Sequence, residues 1–241
     1  MKTVVIGDIH GRTTWKEIVK QESDADKIIF VGDYFDSFFH TQAECLKNYQ
    51  EIIEFKKANP DQVILLIGNH DFHYMPTGND ARCSGYNAAL APMIESLFVE
   101  HIAEKLVQMA YLQDNFLFTH AGVTKTWFNN HFTKAKGETV ADTLNAYFYN
   151  EVYKHFKFQH KLNCSLYGDN IFQGCIWVRP DSLVADRLGS FVQIVGHTGT
   201  MVVAAFDNEL VITVDCLEEG RYLRIVDGEY EDIQLESFKN K

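Results

Sequence analysis

Five short segments of the sequence carry aspartate, asparagine or histidine close to a glycine. They are Gly7-Asp8-Ile9-His10-Gly11, Gly32-Asp33-Tyr34-Phe35-Asp36, Gly68-Asn69-His70-Asp71, Thr119-His120-Ala121-Gly122 and Gly196-His197-Thr198-Gly199. In the first, Asp8 and His10 stand two residues apart, and an extended backbone directs side chains at that spacing to the same side. Carboxylate, amide and imidazole ligands suit Mn²⁺, Fe²⁺ or Zn²⁺. One such segment is more often a turn or a helix cap, but five in succession predict a metal centre.

Apolar runs precede these segments and predict β-strands. Strands are predicted over residues 2–7, 27–31 and 62–67, with helices over 13–21 and 42–58 between them. This alternation predicts an α/β layered fold, in which functional groups collect beyond the C-terminal ends of the strands. We therefore expect the first three segments to face one crevice.

The remainder of the chain predicts more helices and a second sheet. Helices are expected over 87–109 and 140–156, and the polar stretch 72–86 is expected to belong to a helical insertion over the crevice. Further strands are predicted over 115–119, 191–195, 201–206, 210–214 and 222–226. Two packed sheets with outer helices follow from this pattern. Because the sequence has no repeat, low-complexity tract or linker, residues 1–241 are expected to form a single domain.

Composition and charge argue against several classes of partner. The net charge of -11 would repel nucleic acid. The sequence has neither a basic leader followed by an apolar stretch nor a run of about 18 apolar residues, which favours a cytoplasmic protein without a membrane partner. The five cysteines include no C-x-x-C pair, so reduced thiols are expected.

Taken together, the five segments resemble the calcineurin-like metallophosphoesterase superfamily. Its pattern reads GD-x-HG, GD-x-x-D, GNH-[ED], H-[AG]-G and a late GH, and the match runs from Asp8 to His197. The sequences Phe118-Thr119-His120-Ala121-Gly122 and Trp177-Val178-Arg179-Pro180 are more similar to the phosphoprotein-phosphatase branch, which includes bacterial serine/threonine phosphatases and dinucleoside tetraphosphatases. The resemblance implies an α/β fold, a β-sandwich of two mixed sheets flanked by helices.

The resemblance also implies roles for individual residues. Asp8 and His10 are expected on a first metal ion, and Asp33 is expected to bridge both ions. The second ion is expected to be bound by Asn69, His120 and His197. Two divalent ions would hold the phosphoryl oxygens and activate a water molecule for direct attack on phosphorus. Mn²⁺ is the favoured ion, with Fe²⁺ or Zn²⁺ as alternatives. His70 is expected to protonate the leaving oxygen, and Asp36 to orient His70.

Two positions depart from the family pattern. Ser37 stands where many members of this branch have an arginine that grips the substrate phosphate. Arg179 is the expected replacement and Arg82 the alternative, although either arginine is also compatible with an ordinary surface role. Gly199 stands where nuclease branches commonly have histidine, which favours cleavage of a phosphomonoester or phosphoanhydride. Asp215 follows a predicted strand and is expected either near the site or as a turn cap.

The predicted function is hydrolysis of a phosphorylated small molecule or a nucleotide. A serine/threonine phosphoprotein phosphatase is the alternative within the same chemistry, and a catalytically silent binding protein is the alternative of a different class. The silent protein is disfavoured because all six metal-ligand positions and the pair of Asp36 and His70 are filled. The remaining histidines are expected on solvated surfaces: His40, His73, His101, His131, His155 and His160.

Overall fold

The computed structural model describes residues 1–75, 82–159 and 168–239, and its strands form two mixed sheets. The strands are β1 (Lys2–Ile6), β2 (Lys27–Phe30), β3 (Val63–Leu66), β4 (Val107–Gln108), β5 (Ala110–Gln113), β6 (Phe116–Thr119), β7 (Val192–Val195), β8 (Ala204–Phe206), β9 (Val211–Thr213), β10 (Arg221–Val226) and β11 (Glu229–Gln234). The first sheet has the order β11-β10-β1-β2-β3-β4, and the second has the order β5-β6-β7-β9-β8. The predicted pair of mixed sheets is confirmed.

Both sheets have a parallel centre. Strands β1 to β4 run parallel to one another, and so do β6, β7 and β9. Antiparallel strands complete the edges, with β10 and β11 on the first sheet and β5 and β8 on the second. The C-terminal ends of the parallel strands in each sheet therefore lie at one edge, where α/β proteins place their functional groups.

The parallel strands are apolar almost throughout because both of their faces are covered. Val5 and Ile29 of the first sheet pack in one buried cluster with Phe118, Ile194 and Ile212 of the second. Neighbouring strand positions point the other way and join the larger cluster beneath the helices. Burial on both faces replaces the usual alternation of apolar and polar residues with continuous apolar runs.

Seven α-helices flank the sheets in the described residues. They are α1 (Trp15–Gln21), α2 (Gln42–Ala58), α3 (Asn69–Phe72), α4 (Ala91–Ala103), α5 (Lys125–His131), α6 (Val140–Tyr149) and α7 (Pro180–Ala185). Short 3₁₀ turns occur at Tyr153–His155, Leu217–Glu219 and Glu236–Phe238. Helix α2 has the predicted bounds and begins with a capping box, in which Thr41 and Glu44 each accept a hydrogen bond from the other's backbone N–H. None of the described helices is long and apolar enough to span a membrane.

Two helices are shorter than predicted, for the same local reason. The helix expected over 87–109 is α4, which ends because Lys105 adopts a left-handed backbone (φ 55°) and the N–H of Leu106 bonds to the His101 carbonyl at 2.9 Å. The helix expected over 140–156 is α6, and Glu151 (φ 59°) ends it in the same way. This stop is usually made by glycine, and its absence from the sequence made the predicted helices too long.

The expected insertion has two described parts. Helix α4 packs beside α2, where Phe98 lies against Tyr49 and Phe35 with ring centroids 5.4 and 5.7 Å away. Residues 82–87 precede α4 and contact side chains at the strand ends. Residues 76–81 of the predicted loop lie outside the described residues.

Candidate metal centre

One polar residue follows the C-terminal end of each of six parallel strands. The strand and residue pairs are β1 and Asp8, β2 and Asp33, β3 and Asn69, β6 and His120, β7 and His197, and β9 and Asp215. The C-terminal ends of the parallel strands of both sheets thus lie at one crevice. The six residues predicted as metal ligands are brought together there, although they come from widely separated parts of the sequence.

Within the described residues, two groups of side chains have geometry suited to a cation. One contains His10, Asp33 and His70, and the other contains Asp8, Asp33 and His120, with the donor atoms of each group within 4.8 Å of one another. Asp33 belongs to both groups, as expected for a bridging ligand. The grouping pairs Asp8 with His120 and adds His70, so the assignment of each ligand to a particular ion stays a prediction.

The other two predicted ligands meet at the second group. The Asn69 side-chain oxygen Oδ1 lies 2.9 Å from His120 Nε2 and 2.8 Å from His197 Nδ1. Asn69 presents this oxygen because its amide nitrogen donates to Cys83 Sγ at 3.1 Å. The backbone carbonyl of Trp177 lies 3.1 Å from the other ring nitrogen of His197, which fixes the ring plane.

Hydrogen bonds to the backbone determine which histidine nitrogens can bind a cation. His120 Nδ1 lies 2.8 Å from the Val31 carbonyl, and His10 Nδ1 lies 2.8 Å from the Phe35 carbonyl. A carbonyl only accepts, so each Nδ1 carries the ring proton and each Nε2 of the neutral ring presents a lone pair. The lone pair of His120 Nε2 then faces the Asn69 oxygen 2.9 Å away, a contact that a cation between the two atoms would relieve. Those Nε2 atoms lie 3.4 and 3.6 Å from Asp33 Oδ2. Lone pairs that converge on a carboxylate fit a divalent cation, since metal-ligating histidines are oriented in this way.

The pKa shifts agree with this protonation state. Burial lowers the pKa of His10, His120 and His197, which keeps the three rings neutral. Burial would raise the pKa of Asp33, but the imidazoles around it, His120 and His70 foremost, outweigh that effect and lower it to about 2. Neutral imidazoles around an ionised carboxylate are the state that binds metal.

His70 and Asp36 form the expected pair. His70 Nδ1 lies 3.1 Å from Asp36 Oδ2. Burial opposes the charged imidazole, but Asp33 and the hydrogen bond to Asp36 outweigh it and raise the pKa of His70. Asp36 is itself held by Tyr74, whose hydroxyl donates to Oδ1 at 2.6 Å, and by the Gln42 amide at 3.0 Å. Asp36 therefore orients the His70 ring through Nδ1, and the raised pKa of His70 favours the protonated ring that a proton donor requires.

The predicted surface position is wrong for His73 and His101, which are both buried. His73 Nδ1 accepts the backbone N–H of Cys83 at 3.0 Å, so the ring proton is on Nε2, which lies 2.7 Å from Asp36 Oδ2. Its spacing of three residues from His70 on a helical turn is a signal that both rings face Asp36. His101 Nδ1 lies 2.9 Å from the Tyr49 hydroxyl in the helical layer. His160 lies outside the described residues.

Asp71, which the sequence offered as one more carboxylate, is used by the backbone. Its side chain accepts the N–H groups of Asp33, Tyr34 and Gly68 at 2.8, 2.8 and 2.9 Å. These bonds join the turn after β2 to the turn after β3. Asp71 therefore fixes two ligand-bearing turns relative to each other.

The backbone of the crevice is strained. His10, Asp33, Asp36 and His197 have φ values of 41°, 54°, 61° and 65°, a left-handed region that is uncommon for residues other than glycine. Each such residue costs on the order of 1–3 kcal/mol, and strain of this kind concentrates at functional sites. Surrounding contacts hold the conformation, including two hydrogen bonds from the His197 N–H to the Asp8 carboxylate at 3.2 and 3.1 Å.

The two candidate arginines lie in different places. Arg179 donates to the hydroxyl of Thr198, the residue after His197, at 3.3 Å, which places it beside the candidate ligands. Its charge adds to the effect of burial in lowering the pKa of His120 and His197. Arg82 is exposed and stacks on Tyr86, with 4.2 Å from the guanidinium carbon to the ring centre. The structure brings Arg179 to the crevice.

Ser37 and Asp215 border the crevice. The Ser37 hydroxyl accepts the backbone N–H groups of Phe39 and His40 at 3.1 and 3.0 Å, so it caps a turn. Asp215 follows β9, and burial together with the charge of Asp33 raises its pKa to about 6. Asp215 lines the same groove as His10, which places it near the site, one of its two expected positions.

Comparison with known proteins agrees with this geometry. The family model described as calcineurin-like phosphoesterase matches residues 1–199. A cold-active protein-tyrosine phosphatase of a psychrophilic Shewanella species is 20% identical, with a TM-score of 0.56 over 97% of this chain and 80% of that one. A protein serine/threonine phosphatase from Saccharomyces cerevisiae is 14% identical, with a TM-score of 0.55 over 98% of this chain and 80% of that one. Likeness at these identities shows the fold alone. No curated protein has a significant sequence match to the chain.

Proposed function

Because the chain belongs to the calcineurin-like phosphoesterases, we propose that it hydrolyses a phosphomonoester or phosphoanhydride of a small molecule or nucleotide at two divalent cations. The observation that carries the proposal is the pair of ligand groups that share Asp33, with unprotonated histidine nitrogens directed at its carboxylate. Mn²⁺ is the favoured ion, with Fe²⁺ or Zn²⁺ as alternatives, and the cytoplasm is the proposed location.

The proposed ligands are Asp8, His10, Asp33, Asn69, His120 and His197. When bound, two cations supply positive charge for the phosphoryl oxygens and a water molecule of lowered pKa. Asp33 contributes the carboxylate common to both groups. The hydrogen bonds that His10 and His120 make to backbone carbonyls hold their rings in the binding orientation.

His70 and Arg179 act on the substrate itself. His70 donates a proton from Nε2 to the leaving oxygen, while Asp36 holds the opposite side of the ring. Arg179 lies beside His120 and His197 and binds phosphoryl oxygens with its guanidinium fork. Arg179 thereby takes the place of the arginine that many members of the phosphoprotein-phosphatase branch have at the position of Ser37.

The proposal is tested with purified protein before and after chelation. Turnover of an aryl phosphate should disappear when metal is removed and return with Mn²⁺, and Asp33→Asn should lose both metal and activity because a neutral amide weakens both ion sites. Full turnover in a verified metal-free sample would end the proposal. Metal binding without turnover of any phosphate ester would instead favour the silent binding protein.

A substrate panel separates the alternatives within the same chemistry. It contains an aryl phosphate, nucleotides, dinucleoside polyphosphates and a serine phosphopeptide. The proposal expects the highest kcat/KM for a small phosphorylated compound. A clear preference for the phosphopeptide would assign the protein to phosphoprotein dephosphorylation.

A further inference from the structure

A groove with a volume of about 390 Å³ begins at the proposed metal ligand His10 and runs to the protein surface. We call it the His10 groove. Its walls include Arg12, Phe38, Phe39, Met201, Asp215 and Glu218. The groove is continuous with the metal centre, so it can hold the part of a substrate that extends from the reacting phosphate.

The mouth of the groove carries an unusual amount of exposed apolar surface. Phe38, Phe39 and Met201 are 82%, 72% and 75% exposed. Scattered exposed apolar residues need no explanation, but a contiguous group beside a site indicates a binding surface. Two adjacent phenylalanines are well suited to cover a flat ring, since aromatic rings stack face to face with an offset or edge to face.

Hydrogen bonds fix the backbone turn that carries these two residues. The Ser37 hydroxyl accepts the N–H of Phe39 at 3.1 Å and that of His40 at 3.0 Å. On the other side, Asp36 is anchored by hydrogen bonds to Tyr74 and Gln42. A fixed turn lowers the entropic cost of binding, because a ligand need not order the backbone that carries the rings.

The charges in the groove favour an uncharged group that donates hydrogen bonds. Asp215, Glu218 and Glu219 line it, and the only cationic wall residue among those described, Arg12, is paired with Glu218 at 2.8 Å. A further phosphate would meet repulsion there. Carboxylates instead accept hydrogen bonds from amino groups.

From these features we propose that the His10 groove binds the base of a nucleotide substrate, with Phe38 and Phe39 stacking on the ring and the acidic wall accepting hydrogen bonds from its amino group. A nucleobase combines a flat aromatic face with amino donors, and stacking on aromatic side chains is a common way to bind it. This inference rests on the proposed phosphoesterase function and names the substrate class for the same site.

The first test compares two substrates that differ by the base alone. The ratio of kcat/KM for adenosine 5′-monophosphate to that for ribose 5-phosphate is measured for the metal-loaded enzyme and for Phe38→Ala, Phe39→Ala and the double variant. Each single variant should lower the ratio by roughly tenfold, mainly through KM. Phe206→Ala is the matched control, because Phe206 is an exposed phenylalanine on β8 at the end of the sheet away from the crevice. An unchanged ratio in the double variant would overturn the proposal.

The second test separates this inference from the function on which it rests. Binding of adenosine, which has no phosphate to cleave, is measured by calorimetry with the same metal-loaded proteins. Binding that the Phe38 and Phe39 variants abolish, in a protein that cleaves no phosphate ester, would reject the phosphoesterase function and keep the groove. Turnover of esters without adenosine binding would do the reverse. If the Phe38 and Phe39 variants lowered kcat/KM for a tyrosine phosphopeptide but not for adenosine 5′-monophosphate, the groove would be assigned to a peptide side chain and the nucleobase rejected.

Discussion

At the scale of single residues, substitution of His70 can distinguish a role in proton transfer from a role in metal binding. It hydrogen-bonds Asp36 through Nδ1 but also lies in one of the two groups with metal-binding geometry. If it is the general acid, His70→Asn should retain both ions while kcat falls by about 10²–10⁴. The loss should be smaller for an aryl phosphate, whose leaving group needs little protonation. Steady-state kinetics with metal analysis checks this, and loss of one ion would make His70 a ligand.

Arg179 is the second residue whose role can be isolated. Its guanidinium should bind phosphoryl oxygens more tightly as charge builds on them, so Arg179→Ala should cost about 2–4 kcal/mol in kcat/KM with metal content unchanged. Arg179→Lys should recover only part of this, because a point charge lacks the fork. Arg82→Ala is the matched control, since Arg82 stacks on Tyr86 on the exposed insertion. A crippled Arg82→Ala beside an active Arg179→Ala would move the clamp to that insertion.

At the scale of elements, glycines at the strand ends allow the ligand-bearing turns to approach each other. A side chain at Gly196 would place its Cβ 2.1 Å from Asp8 Oδ1, and one at Gly68 would place it 2.0 Å from Asp33 Oδ1. In the sequence, glycines in these segments indicate turns. The structure adds that each one makes room for a ligand carried by a different strand.

Gly196→Ala should therefore displace Asp8. We expect reduced metal content and a loss of about 1–3 kcal/mol in the free energy of unfolding, the usual cost of overpacking. Gly199→Ala is the control from the same segment, because its Cβ would meet its nearest neighbour, Asp215 Oδ2, at an ordinary 3.6 Å. Metal analysis and denaturant unfolding check both variants. Equal metal content in Gly196→Ala and Gly199→Ala would show that the crevice tolerates the displacement of Asp8.

At the scale of the whole molecule, a buried charge cluster joins the first strand to the late hairpin. Glu22 lies 2.6 Å from Lys2, 2.5 Å from the Tyr222 hydroxyl and 3.2 Å from Arg224. Burial opposes its charge, but the hydrogen bonds from Lys2 and Tyr222 outweigh burial and lower the pKa of Glu22. A carboxylate with a lowered pKa stabilises the fold above its unfolded value, here 4.5, and this contribution is lost as the pH falls through the folded pKa.

Glu22→Gln should accordingly reduce the free energy of unfolding by about 1–3 kcal/mol at neutral pH. The difference from the wild type should shrink as the pH falls below 4.5. Glu231→Gln is the control, since Glu231 also pairs with Arg224, at 2.6 Å, but is 59% exposed and should contribute little. Denaturant unfolding at several pH values measures both. A constant deficit for Glu22→Gln across the acid range would contradict the electrostatic explanation.

The sequence by itself determined the two-sheet fold and the set of residues that meet in the crevice. The fold follows from local patterns, because an apolar run predicts a strand and parallel strands end at the same edge of a sheet. The set of candidate ligands follows from the five segments and from the family that they resemble. The helix ends at Lys105 and Glu151 escaped this reasoning, since neither residue is a glycine. Tertiary structure alone decided which of the candidate residues are neighbours, with Asp8 beside His120 and His10 beside His70.

Tertiary structure also decided what the remaining polar residues do. His73 lies against Asp36 although the sequence predicted a surface position for it, and Asp71 binds backbone N–H groups of two turns. Phe38 and Phe39 are exposed at the groove, and they are the two most exposed phenylalanines among the described residues. The i, i+3 spacing of His70 and His73 indicates a shared face, but the burial of these side chains and the groups that they contact depend on packing between distant segments. The sequence therefore predicts the class of reaction, and the packing of the two sheets determines which polar side chains contact each other in the crevice.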